Sequence, residues 1–340
     1  MNRFVIASTR PSSGKTSLVI GLAQGNFARY GYIKPLGDRL LYRKKRLWDY
    51  DASLAASALG LDQAAEEMTI GFERTKLKYM FDEESTRARL LELAATAEKG
   101  RQGLLVEAGA DMTAGISAFL DPLNVARWLD AKLVVVASGS EDQIVDDLTY
   151  LRKYVDMEGV ELAGAVLNKL VDPEDFEMTH LPDIQQLGIK VLGTLPMVEQ
   201  LTHVSVRFLS DVLFARVLAG EEGMDRTAKQ VFVGAMSVDA IVRDPLFAKK
   251  DKLIITSGDR SDMVLAALET STAAIVLANN ILPPPNIIAK AAIKNVPLLL
   301  VPDDTFKVAK KIDDMEPLLT RGEDDKVALL GRLVKERIEL

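Results

Sequence analysis

Near the N-terminus the run Thr9-Arg10-Pro11-Ser12-Ser13-Gly14-Lys15-Thr16 has the residue types and spacing that hold phosphate. It follows the apolar stretch Phe4 to Ala7 and precedes a helical pattern, the strand, loop and helix setting of a Walker A loop. The usual first glycine is Thr9 here, so a strict match fails. Gly14, Lys15 and Thr16 stand at the expected spacing. Gly14 permits close backbone approach, Lys15 puts a cation near the β and γ phosphates, and the Thr16 hydroxyl can coordinate magnesium. With the helix dipole, the loop residues Thr9, Ser12, Ser13 and Ser17 complete the expected anion site. The alternative is a serine-rich turn that caps a helix.

Later strand ends should supply the rest of such a site, because ligands of open α/β sheets bind outside the carboxyl ends of strands. Glu107 closes the apolar run Leu104-Leu105-Val106 and resembles a Walker B carboxylate. Asp51 follows Trp48-Asp49-Tyr50 at the start of a helical segment. Either could hold magnesium directly or through water. Their alternatives are a carboxylate satisfied by strand-end amides and, for Asp51, a helix cap. Asn168 follows the strand-like run Ala163 to Leu167, where its amide could read a purine edge or simply shape a turn. A guanine motif would need aspartate at Val171, so ATP is the expected nucleotide.

The elements that must position these residues read as an α/β protein, a P-loop-type doubly wound, mostly parallel sheet followed by a second, smaller α/β domain. Strands are expected at Phe4 to Ala7, Tyr32 to Lys34, Leu104 to Glu107, Leu133 to Ala137, Leu162 to Leu167 and Lys190 to Thr194. Helices are expected at Lys15 to Arg29, Ala52 to Ala58, Glu83 to Lys99, Asn124 to Leu129, Ile144 to Asp156, Leu181 to Leu187 and Val204 to Leu218. The polar stretch Ala219 to Gly223 suits a boundary, giving domains over 1–218 and 224–340. In the second, strands are expected at Val231 to Ala235, Lys252 to Thr256, Ala274 to Ala278 and Pro297 to Val301. Pro283 to Pro285 stiffen a loop before a helix near Ile287 to Lys294. An amphipathic helix from Asp324 to Leu340 closes the domain, with Val327, Leu330, Leu333, Val334 and Ile338 at three- and four-residue spacing.

Composition narrows the function. The chain has 340 residues, 48% hydrophobic and 27% charged, and a net charge of -7. That balance suits a folded soluble protein and gives no general attraction to nucleic acid or an anionic membrane. There is no cysteine, and His180 and His203 are the only histidines. Disulfides, thiolate metal sites and cysteine nucleophiles are thereby excluded within this chain, and a hard ion such as magnesium is the metal to expect. No apolar run of 18 or more residues occurs, so the cytoplasm is the expected location.

Together these residues resemble the dethiobiotin synthetase-like branch of P-loop proteins over about residues 1 to 218. The likeness rests on Thr9 to Thr16, Lys34-Pro35, Glu107-Ala108-Gly109, Asn168 and Gly193-Thr194-Leu195-Pro196. From Met224 onward the chain resembles the DRTGG domain, through Asp225-Arg226-Thr227, Val233-Gly234-Ala235-Met236-Ser237 and Gly258-Asp259-Arg260. That order of domains is similar to the N-terminal regulatory half of long phosphotransacetylases, and 340 residues leave no room for the acetyltransferase domain. The resemblance implies that Lys34 faces the γ phosphate and acts with Lys15 in catalysis, that Pro196 lies by the nucleotide, and that the protein forms a homodimer. The segment after Lys34-Pro35, Leu36-Gly37-Asp38-Arg39, lacks the hydroxyl residue of the synthetases, and its glycine comes too soon.

Polar turns also follow the strands of the second half. Gly258, Asp259, Arg260, Asn279 and Asp304 make a candidate second site for a small anionic ligand, with Ser261 or Asp262 capping the next helix. The leading expectation is an ATP- and magnesium-binding regulatory or sensor protein, coupled to that ligand or to a partner enzyme of acyl-phosphate metabolism. The alternatives are an ATP-dependent ligase activating a carboxylate or carbamate, and a nucleotide-stabilised scaffold.

Overall fold

A computed structural model describes residues 1–340 except 26, 28, 44, 45, 235–237, 239, 240, 242, 244, 246, 314, 316–318 and 320–322. Side chains of residues 41–43, 46 and 47 also lie outside the description. The chain divides into two compact units, Met1–Val198 with Arg321–Leu340, and Glu199–Thr320.

The first unit runs β1 (Asn2–Ser8), α1 (Lys15–Ala23), β2 (Tyr30–Ile33), β3 (Leu40–Arg43), β4 (Arg46–Asp49), α2 (Tyr50–Ala58), α3 (Arg74–Met80), α4 (Glu83–Ala97), β5 (Gly103–Glu107), α5 (Pro122–Leu129), β6 (Lys132–Ala137), α6 (Glu141–Tyr154), β7 (Leu162–Leu170), α7 (Pro173–Thr179), α8 (Leu181–Gln186) and β8 (Val191–Pro196). Six of these strands form one parallel sheet in the order β2-β5-β1-β6-β7-β8. Side chains alternate across a strand, so β1 sends Val5 and Ala7 to one face and Phe4 and Ile6 to the other. Val5 and Ala7 pack with Leu90, Leu93, Val125, Ile144 and Phe176 from α4 to α7. Phe4 and Ile6 pack with Leu18, Leu22, Ala52 and Ala55 from α1 and α2. Both faces are covered, as the near-continuous apolar strands require. β3 and β4 form an antiparallel hairpin, Leu40 opposite Asp49, which the sequence reading did not include.

The second unit contains α9 (Glu199–Thr202), β9 (Val204–Ser205), α10 (Val206–Val212), β10 (Arg216–Ala219), β11 (Thr227–Ala228), β12 (Gln230–Val233), β13 (Lys252–Ser257), α11 (Ser261–Leu268), β14 (Thr272–Ala278), α12 (Pro285–Ile293), β15 (Leu298–Leu300) and α13 (Thr305–Asp313). Its five-stranded sheet has the order β10-β15-β14-β13-β12, parallel except for β10. Cores lie on both faces: Ile254, Ile275 and Leu277 pack with Met263, Val264 and Ile287, while Leu253, Val276 and Leu299 pack with Leu209 and Val308. The fold class read from the sequence is thus the fold observed. The last residue of the strand expected at Val231 to Ala235 lies outside the described residues.

Two expectations need correction. The helix expected over Val204 to Leu218 is only α10, and Arg216–Ala219 turns back as the antiparallel edge strand β10. Phe214, just after the helix, has φ 51°, a left-handed conformation that ends helical propagation. The amphipathic helix expected to close the second domain is α14 (Asp324–Arg337), which belongs to the first unit. Its Val334 joins the core face of α1 and α2. Close approach is possible because Gly21 of α1 lies under α14: a β-carbon there would come 2.4 Å from Val334 Cγ2 and 3.0 Å from the Leu330 carbonyl oxygen.

Candidate functional site

The phosphate loop spans the end of β1 and the start of α1, at the carboxyl edge of the six-stranded sheet. Gly14 has φ 96° and sits against Asn168, whose Nδ2 would be 2.2 Å from any β-carbon at that position. Only glycine meets both conditions. Asn168 Nδ2 donates to the Ser13 carbonyl oxygen at 2.7 Å, and Lys169 Nζ donates to that of Ser12 at 2.8 Å. The end of β7 therefore fastens the loop. Asn168 is engaged with loop backbone, an arrangement in which its amide shapes the loop instead of reading a base. Ser13 Oγ donates to the Arg10 carbonyl at 2.9 Å, and Arg10 makes a bidentate pair with Asp147 of α6 at 2.7 and 2.9 Å.

Lys15 is buried, and its Nζ donates to Ser8 Oγ at 2.8 Å and to the Ala110 carbonyl at 3.0 Å. Burial holds its pKa below the ordinary lysine value, against the pull of Glu107 and other nearby carboxylates. Thr16 Oγ1 donates to Glu107 Oε1 at 2.7 Å, and Tyr32 OH donates to Glu107 Oε2 at 2.9 Å. The structure thus brings the Walker A hydroxyl and the carboxylate at the end of β5 into direct contact. Burial pushes the Glu107 carboxyl up to about 7; Lys34 opposes the shift and Asp51 adds to it.

Lys34, immediately after β2, lies 1% exposed among three carboxylates: Asp38 at 2.5 Å, Asp51 at 2.7 Å and Asp49 at 3.3 Å. Against the desolvation that would lower it, Asp51, Glu107, Asp49 and Asp38 together hold its pKa above the lysine norm. The helix cap is Asp49, not Asp51. Asp49 Oδ1 accepts from the Ala52 amide at 2.9 Å, while Oδ2 accepts from the amides of Asp38 and Arg39 at 3.0 and 3.1 Å. Asp51, in the first turn, is left to face Lys34 and lies 3.5 Å from Arg39 Nη1. Arg39 Nη2 also donates to Ser12 Oγ at 3.2 Å. Sequence reasoning gave Asp38, Asp49 and Arg39 no role; the signal it had was the acidic run Asp49-Tyr50-Asp51 following the charged pair Asp38-Arg39.

Two features bear on whether magnesium and a triphosphate fit. Thr9 Oγ1 is buried without a hydrogen-bond partner, so a polar group waits at the loop entrance. The donors Thr16, Glu107 and Asp51 are all hard oxygens, and magnesium takes one or two carboxylates together with phosphate and water. These residues fit that group. Ser17 is half-buried in the first turn of α1, and Pro196 ends β8, paired with Leu170 of β7.

In the second unit the candidate residues Arg260 and Asp304 have local partners. A β-carbon on Gly258 would come 1.8 Å from the Ile281 carbonyl oxygen, so this glycine serves close packing of two loops. Arg260 pairs with Asp262 at 3.0 Å, and neither Ser261 nor Asp262 caps α11, whose N-cap is Arg260. Asn279 is exposed at φ 60°, a turn position. Asp304 Oδ1 accepts from the Lys307 amide at 2.8 Å and so caps α13. Asp259 is exposed. Thr256 Oγ1, one strand-end away, is buried without a partner. Among the described residues no helix is long and apolar enough to cross a membrane.

A parallel sheet with a phosphate loop after β1, a hydroxyl and a carboxylate in contact at its mouth, and helices on both faces defines the P-loop nucleotide-binding class. Residues 2–205, more than half of the chain, match the AAA domain family, and the chain belongs to it. Residues 209–315 match the DRTGG domain. Along nearly its whole length the chain is similar to the phosphate acetyltransferase of Nitratidesulfovibrio vulgaris, 23% identical over 99% of this chain and 50% of that one. It is also similar to that of Pseudomonas aeruginosa, 23% identical over 93% and 48%, and to that of Synechocystis, 27% identical over 68% and 35%. The chain therefore spans half or less of the length of these relatives. Among solved structures, the CBS and DRTGG domains of the regulatory region of Clostridium perfringens pyrophosphatase align at a TM-score of 0.29 and 21% identity, over 37% of this chain and 53% of that one.

Proposed function

We propose that the first unit binds magnesium-ATP and that the protein is a nucleotide-responsive regulatory module. The observation that carries this is the convergence at one sheet edge of Lys15, the Thr16–Glu107 contact and the Lys34–Asp51 pair around a phosphate loop. In this reading the loop amides and Lys15 hold the β and γ phosphates, while Thr16, Asp51 and Glu107 hold the metal directly or through water. The same geometry weighs against a ligase. A lysine that stabilises a transferring phosphoryl group must offer its charge to it, and that of Lys34 is matched by Asp38, Asp49 and Asp51. The DRTGG region supports a second, ligand- or partner-sensing role, and the likeness to phosphate acetyltransferases supports a partner in acyl-phosphate metabolism. A homodimer and a cytoplasmic location belong to the same proposal.

Calorimetric titration with magnesium-ATP tests it. Lys15→Ala should weaken triphosphate binding by about 1.5–3 kcal/mol, the scale of a hydrogen bond to a charged group. Absence of both ATP and ADP binding by the parent protein overturns the reading. Phosphate release stimulated by a small acid or amine would replace the sensor with a ligase.

A further inference from the structure

Arg39 stands where the phosphate loop and the Lys34 cluster meet. Its guanidinium bonds Ser12 Oγ at 3.2 Å and reaches Asp51 Oδ1 at 3.5 Å, the outer limit of a hydrogen bond. Asp51 already has a much closer cation, Lys34 Nζ at 2.7 Å. The Arg39 side chain is 27% exposed, beside Asp51 at 4% and Lys34 at 1%. It is thus the outermost cation of the cluster. The Arg39 main chain is fixed to the hairpin base: its amide donates to Asp49 Oδ2 at 3.1 Å and its carbonyl accepts from Tyr50 N at 2.8 Å. β3 begins at the next residue, and β4 ends at Asp49.

We infer that Arg39 is the residue by which the site distinguishes a nucleoside triphosphate from a diphosphate and passes that distinction to the β3–β4 hairpin. The inference rests on the nucleotide reading above. Lys15 and the loop amides serve the β phosphate that ATP and ADP share as well as the γ phosphate, whereas Arg39 spans from the loop to Asp51, the proposed metal ligand outside the loop. A planar guanidinium takes two phosphate oxygens at once and prefers that partner to a distant, already neutralised carboxylate. With a terminal phosphate bound and Asp51 holding the metal, the Arg39–Asp51 contact would give way to an Arg39–phosphate contact. Because Arg39 and Asp49 close the hairpin base together, the shift is felt there. Trp48 sits one residue before Asp49, partly buried against the core of α1 and α2, so it reports the change.

The test is calorimetric titration of the full chain with magnesium-ATP and with magnesium-ADP, for the parent, Arg39→Ala and Arg39→Lys. The expected result is a loss of tenfold or more in ATP affinity for R39A with ADP affinity within twofold of the parent, and an intermediate loss for R39K. In a Trp128→Phe background, Trp48 emission should respond to ATP and not to ADP, and the response should vanish in R39A. Equal losses for both nucleotides, no loss for either, or a Trp48 response that does not distinguish them would overturn the inference while leaving nucleotide binding intact. A parent that binds neither nucleotide fails the underlying reading instead.

Discussion

Glu107 is a carboxyl group 1% exposed, with two hydroxyls donating to it. Its pKa is raised by burial to about 7, against an ordinary value of 4.5. A folded-state pKa above the unfolded one means that the folded protein keeps a proton the unfolded chain has released. Stability therefore falls as pH rises from about 4.5 to about 7, by about 3 kcal/mol in all, and is constant for this group beyond. Thermal melts at pH 5 and pH 8 should show the parent losing stability relative to Glu107→Gln over that window; parallel melting curves would contradict the raised pKa. Magnesium requires the anion, so metal-dependent nucleotide affinity should climb with pH up to about 7 and then level off. Lys34 follows the same sign, since its folded-state pKa is also raised, but far above this window. Its removal strands the buried carboxylates of Asp49 and Asp51, which places its cost at the scale of breaking a buried ion pair, about 3–5 kcal/mol.

Among the elements, α1 does two things: its N-terminus carries Lys15 and Thr16, and its flank carries Gly21 under α14. Gly21→Leu would drive a side chain into Val334 and the Leu330 carbonyl. Overpacking of this kind costs about 1–3 kcal/mol, and the variant should melt earlier and bind nucleotide more weakly if α14 steadies α1. Unchanged melting would show that the two helices are loosely packed. The sequence made some of this legible and hid the rest for physical reasons. Alternating and continuous apolar runs identified the strands of the first sheet and all but β10 of the second, and Gly14-Lys15-Thr16 with Glu107 marked residues that the fold brings together, because those features depend on neighbours in the chain. The partners of Lys34 were not legible as a cluster: Asp38, Asp49 and Asp51 meet it only because the hairpin folds residue 49 back beside residue 39. The amphipathic pattern of α14 was read correctly as a helix, yet periodicity states that a face is buried and not which core buries it. The three-residue step from α10 to β10 also lay below what spacing can resolve.

At the scale of the whole molecule, the second unit is an insertion in the first, lying between β8 and α14 in sequence. Removing residues 321–340 should uncover the α1 face that Leu330 and Val334 cover, at about 1.5–3 kcal/mol for each buried side chain. The truncated chain should melt at lower temperature in the transition that nucleotide protects, and a chain that melts unchanged would assign α14 no such part.

The same return of α14 has a consequence in time. A ribosome adds about 5–20 residues per second, and roughly 120 residues separate Val198 from Arg321. For something on the order of ten seconds, the nascent first unit has its sheet and its phosphate loop but lacks the helix that covers α1. In that interval its apolar flank is open to chaperones or to other nascent chains, and the nucleotide proposed for the loop would be the ligand best placed to hold α1 until its cover is made.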